Sequence, residues 1–237
     1  MEPRAIDYTP AMLARLLHAH TAYEMSERLV SEVSTYADSF GRGAFLTDQS
    51  ASVLTGAPLL LEEAVIADRL RGASWSDVAE ALDTSEDKAR DEFSVSEREF
   101  RDALLFPYRQ GKNGRPHTVA PYAAEEPDRL RLQLDAWVVE RRRSSGPNRD
   151  EPEPVTRGLV AMSATRIVER ISQVLALTDA LINRSFPAGV SYEQVRVRHA
   201  ELKVELYEAM VAQRPGHRDV ELQLIEARKQ LSDLLSE

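Results

Sequence analysis

The sequence predicts an all-α protein, with an N-terminal helical domain followed by a C-terminal antiparallel three-helix bundle. Three observations carry that expectation. The helix formers Ala, Leu, Glu and Arg dominate the 237 residues while aromatic residues make up only 6%, too few for a sheet-rich core. Apolar side chains recur at three- and four-residue intervals along most of the chain. Glycine and proline are gathered into a few short stretches, which act as punctuation between the periodic segments.

The elements follow in order. Thr9 followed by Pro10 reads as an N-cap with proline at the first helical position, and Leu13, Leu16, Leu17, Tyr23, Val30, Val33, Ala37 and Phe40 then mark one face of a long helix reaching about Phe40. Gly41 and Gly43 end it. A looser segment, Ala44 to Gly56, is expected to hold one short helix. A new helix starts at Pro58 and runs to Gly72, a short one covers Ser74 to Leu82, and a third runs from Ser85 towards Leu105. Residues 106–124 carry Gly111, Gly114, Pro116 and Pro121 with Arg109, Lys112 and Arg115 among them, which predicts an exposed basic arm. Residues 127–143 return to helix, with Leu130, Leu134, Trp137, Val138 and Arg141 on one face.

Residues 144–157 begin SSGPNRDEPEP, without an apolar side chain in that stretch, and read as a linker. The expected domains are therefore 1–143, containing a two-helix unit within 62–105, the arm and the following helix, and 158–237. In the latter, Val160, Ile167, Ile171, Val174 and Leu181, then Val195, Leu202, Leu206 and Met210, then Val220, Leu224, Leu231 and Leu235 form three seams of coiled-coil spacing. Short breakers at Phe186–Gly189 and Arg214–Gly216 make neighbouring helices antiparallel. Ser191 with Gln194 is a capping box, and Asp219 is the expected cap of the last helix.

Charge and chemistry exclude several classes. The net charge is −9, and residues 57–106 carry 13 acidic against 6 basic side chains, whereas 107–149 carry 9 basic against 5 acidic. Cysteine is absent, which removes disulfides, thiolate nucleophiles and cysteine-ligated metals. His18, His20, His117, His199 and His217 are scattered without a helical pair, and no phosphate loop or nucleophile elbow occurs, so neither an enzyme nor a cofactor is expected. No apolar run reaches about 18 residues, so no membrane partner is expected and a cytoplasmic location is.

The most informative stretch is Ala73 to Phe93, ASWSDVAEALDTSEDKARDEF. Trp75, Val78, Ala79 and Leu82 form the buried face of a helix capped by Ser74; Asp83-Thr84-Ser85 turns the chain, and Ala89 and Phe93 point back from the next helix. This pattern resembles the helix-turn-helix of bacterial transcription regulators and sigma factors, with Glu62 to Arg71 as supporting helix. The resemblance implies a DNA-binding regulator acting as a homodimer on double-stranded DNA. In that family the base-reading positions correspond to Glu86, Asp87, Lys88, Arg90 and Asp91, three of which are carboxylates here. Lys88 and Arg90 are then the expected groove contacts and Arg109, Lys112 and Arg115 the phosphate contacts. Gly114-Arg115-Pro116 also resembles the core of a minor-groove AT-hook, with Asn113 where that motif has arginine. The C-terminal bundle is expected to offer a surface to a protein partner. The alternative is an acidic protein-interaction adaptor whose helix-turn-helix no longer binds DNA.

Overall fold

The computed structural model describes residues 8–31, 45–111, 115–142, 154–155 and 166–236. The protein is mostly helical with one small two-stranded sheet. It divides into two compact units, Met1–Leu104 with Pro121–Leu159, and Leu105–Ala120 with Val160–Glu237. The expected linker at 144–157 lies outside the described residues except for Pro154 and Val155, and the Val155 amide is anchored at 2.9 Å on the buried Asp135 carboxylate.

In the first unit, α1 (Pro10–Ser31) and α2 (Phe45–Leu70) run antiparallel. Thr9 begins α1 as the sequence predicts, its hydroxyl accepting from the Met12 amide at 3.3 Å. The expected extension to Phe40 lies beyond the described residues. The main difference concerns α2. It is a single helix from Phe45 that runs through Pro58, where the sequence pattern suggested a break and a new start. Proline removes one helical hydrogen bond, but packing along α1, where Met25 lies beside Gly56, offsets that loss. Continuous across Pro58, the segment Ser50–Leu70 becomes long and apolar enough to cross a membrane by length and composition, although no uninterrupted apolar run in the sequence reaches that length. Its C-terminal half is occupied otherwise: Ile66 and Ala67 pack with Leu13, Ala14 and Phe100 in the core of the unit.

Four further helices complete this unit: α3 (Trp75–Ala81), α4 (Glu86–Leu105) and, after the second-unit segment, the short α5 (Tyr122–Glu125) leading into α6 (Pro127–Arg142). Leu130 and Leu134 of α6 are fully buried, as its apolar spacing predicts, and α6 packs on α1. At its far end the Trp137 indole donates to Glu27 at 2.8 Å and Arg141 pairs with the same carboxylate at 2.6 Å, which together hold that carboxyl below its usual range.

The second unit contains a β-hairpin, β1 (Tyr108–Gln110) and β2 (Pro116–Thr118), where the sequence suggested an irregular arm of the first domain. Arg109 pairs with His117 across the ladder, and the Gln110 amide reaches Gly189 O at 3.4 Å. Gly189 has φ +81°, and any side chain there would begin 2.9 Å from Gln110 O, so only glycine lets the hairpin seat on the 187–190 loop. That docking, which no local pattern records, and the burial of Phe106 against Leu177, Val195 and Leu202 place 105–120 with the C-terminal helices.

Those helices are α7 (Arg166–Asn183), α8 (Tyr192–Gln213) and α9 (Arg218–Leu234). Ser191 and Gln194 form the expected capping box, at 3.2 and 2.7 Å. The last helix begins differently: His217 occupies the cap position and Asp219 lies within the first turn, where its charge still complements the helix dipole. Phe106, Leu177, Val195 and Leu202 form the core of this unit. The helices α7 and α9 each pack along α8 without extended contact between them, so they form a row with α8 in the middle.

Candidate functional site

The end of α2, α3 and α4 form a compact frame around Val65, Val78, Ala79, Ala89 and Phe93, with Trp75 and Leu82 packed against them. Small residues are required where α3 and α4 approach. Ala89 is fully buried and Ala79 nearly so, and a larger side chain at either would force the helices apart. The connection is Leu82 to Ser85, with Asp83 in the left-handed region at φ +50°, a conformation aspartate tolerates better than most residues.

Both helix starts are held by local bonds. The Asp77 amide donates to Ser74 Oγ at 3.1 Å, while the Ser74 hydroxyl at 2.6 Å and the Ser74 amide at 2.7 Å both donate to Asp77 Oδ2 and hold that carboxyl below its usual range. Ser85 Oγ accepts from the Lys88 amide at 3.3 Å. Ser74→Ala is expected to lower stability by about 0.5–2 kcal/mol in a denaturant titration, against a much smaller change for the exposed Ser76→Ala on the same helix. Equal effects would remove the capping box from the account of this frame.

Trp75 departs from expectation. The sequence placed it within the core, whereas its ring is half-buried at the edge, covered by the Arg69 guanidinium 4.3 Å from the ring centroid. Arg69 also donates to Glu97 at 3.2 Å, and Glu97 is buried and pairs with Arg101 at 2.9 Å. Two arginines therefore neutralise the one buried carboxylate of α4 and tie α2 to α4. The only sequence trace of this link is the Glu97–Arg101 spacing, because Arg69 is 28 residues away.

The outward face of α4 carries more carboxylates than cations, and the excess lies towards the turn. Glu86, Asp87, Asp91, Glu92 and Glu99 are exposed, alongside Lys88, Arg90, Arg98 and Arg101. Arg90 is engaged by Glu86 at 2.5 Å and Arg101 by Glu97, so Lys88 and Arg98 are the α4 cations outside ion pairs among the described residues. Sequence reasoning passed over Arg98, whose exposure follows only from knowing which face of α4 is buried. Of the expected phosphate contacts, Arg109 is half-buried on β1 and its Nε is enclosed without a hydrogen-bond partner, Arg115 is exposed next to β2, and Lys112 lies outside the described residues. Lys88 and Arg90 thus belong to the first unit, and Arg109 and Arg115 to the second. Among the described residues no group of three or more His, Asp or Glu side chains is arranged to hold a metal ion.

These features define an all-α protein of two units, one of which carries a capped helix, tight turn and second helix with an acidic outer face. Comparison with known protein families, curated proteins and solved structures finds no match to the chain.

Proposed function

We propose that the protein is a protein-interaction adaptor, in which the helix-turn-helix frame presents the acidic face of α4 to a cationic partner. The observation that carries this reading is the charge of that face: five exposed carboxylates, with one of the two cations nearest the turn, Arg90, held by Glu86. A duplex brings about one phosphate charge per 1.7 Å of its axis, and such a face repels it unless cations outnumber the carboxylates. A basic protein surface meets the same carboxylates with attraction, which speeds association and selects partners by charge. The frame is suited to this task because its helices are held by a packed core, so the exposed charges need not be ordered on binding.

The second reading, a transcriptional regulator binding double-stranded DNA as a homodimer, is favoured by the frame itself and by Lys88, which stands near the start of α4 outside any ion pair among the described residues. It would draw on Lys88 and Arg90 for groove contacts and on Arg109, Lys112 and Arg115 for phosphates.

A low-salt gel shift with mixed genomic fragments, run beside binding of a short oligoarginine peptide, separates the two. The adaptor reading expects no DNA complex, and peptide binding that weakens about tenfold in Asp87→Lys/Asp91→Lys. A DNA complex whose affinity falls steeply with salt and is lost in Lys88→Ala would overturn it.

A further inference from the structure

The apolar arc of α7 is only half used. Leu177, Val174 and Leu181 face α8 and Phe106 in the core of the second unit. A second row on the same helix, Val168, Ile171, Leu175 and Ile182, is exposed at 64%, 41%, 63% and 74%. Their spacings of three, four and seven are those of a coiled-coil seam. Because α9 packs along α8 without extended contact to α7, no helix among the described residues of the second unit covers this row.

We infer that this seam is the self-association face of the protein, covered by α7 of a second copy running antiparallel about a two-fold axis at Leu175. Charge selects the occupant. A chain with net charge −9 repels its own copy except through a neutral face, and a two-fold contact places that face against itself. Among the residues of α7 from Ile167 to Asn183, those exposed are Val168, Ile171, Ser172, Leu175, Ala176, Asp179, Ile182 and Asn183, of which Asp179 alone is charged. The other charges between Ile167 and Asn183 are engaged within the unit: Arg170 pairs with Glu205 at 2.7 Å, and Glu169 accepts from Gln173. Asp179 also sets the direction. In a parallel pair the two Asp179 carboxylates would lie at one level, whereas antiparallel pairing about Leu175 moves them about 12 Å apart along the axis and sets Ile182 against Val168. Two such faces cover on the order of 1,000 Å² in total, the lower bound of a specific interface. A lipid surface fits less well, since membrane-lying helices carry cations on the polar face and between Ile167 and Asn183 this one exposes a single charge, the Asp179 carboxylate.

The inference goes beyond the adaptor reading and does not depend on it, because its readouts are mass and crosslinking. The full chain is expected to sediment as a dimer at micromolar concentration, and Leu175→Glu to weaken association about a hundredfold or more while circular dichroism stays unchanged, since Leu175 is exposed within the monomer. The chain has no cysteine, so single substitutions report geometry directly. Leu175→Cys is expected to crosslink with itself under mild oxidation, Ile182→Cys alone not to, and a mixture of Val168→Cys with Ile182→Cys to give the mixed dimer. A monomer at all concentrations, a dimer that survives Leu175→Glu, or self-crosslinking at Ile182→Cys in place of Leu175→Cys would overturn the inference. So would a monomer whose Leu175-dependent binding is to phospholipid vesicles.

Discussion

Phe93→Ala is expected to cost the protein about 3–5 kcal/mol, a large loss for the frame of α2, α3 and α4. Phe93 is 5% exposed and packs with Val65, Val78, Ala79 and Ala89, so truncation leaves a cavity bounded by three helices that the tied α2–α4 pair cannot easily close. Tryptophan fluorescence under denaturant titration reads this out, because Trp75 borders the same cluster. Val95→Ala on the exposed side of α4 is the control, with an expected change within about 0.5 kcal/mol. Similar midpoints for the two variants would mean that the frame is not held by this core.

The second large effect concerns Glu63, which lies on α2 facing α1. It is 5% exposed, with Oε2 enclosed and without a hydrogen-bond partner. Burial raises its carboxyl above the usual range, partly countered by a hydrogen bond from Thr21, and the Glu62 and Glu24 carboxylates push in the same direction as burial. The folded state therefore holds this proton to higher pH than the unfolded chain does. Its contribution to stability is full below the unfolded carboxyl value and is lost as pH rises through the folded one. Glu63→Gln removes the charge and is expected to stabilise the protein at neutral pH by about 1–3 kcal/mol, while changing little at pH 4. Asp77 and Glu27, whose carboxyls are held low, act in the opposite window, adding stability that disappears as pH falls. A wild-type stability curve that runs parallel to that of Glu63→Gln from pH 4 to 8 would rule out the buried carboxylate as a source of pH dependence.

The acidity of the α4 face and the seam on α7 represent two different relations between sequence and surface. Carboxylates at 86, 87 and 91 are visible in the sequence as departures from the helix-turn-helix pattern, and the structure adds that Arg90 is already held by Glu86. On α7 the apolar residues are visible in the sequence too, but its periodicity singles out Ile167, Ile171, Val174 and Leu181 as a bundle seam and leaves Val168, Leu175 and Ile182 unassigned. Ile171 illustrates the limit. It was assigned to the interior of a three-helix bundle together with Val174 and Leu181, and it is exposed because α9 packs along α8 alone.

What the sequence by itself determined is the set of features that close within one turn or one helix face. The caps at Thr9, Ser74, Ser85 and Ser191 each depend on a bond spanning three residues, and the Trp75–Phe93 frame on apolar spacings within about 20 residues. What only the tertiary structure decided involves partners far apart in the chain. The passage of α2 through Pro58 rests on α1, the hairpin on Gly189, the neutrality of Glu97 on Arg69, and the raised carboxyl of Glu63 on the approach of α1. Local hydrogen bonds and periodicity constrain a chain before it folds. The burial of a charge, the tolerance of a helical proline and the exposure of an apolar face depend on distances that exist only after distant segments have packed.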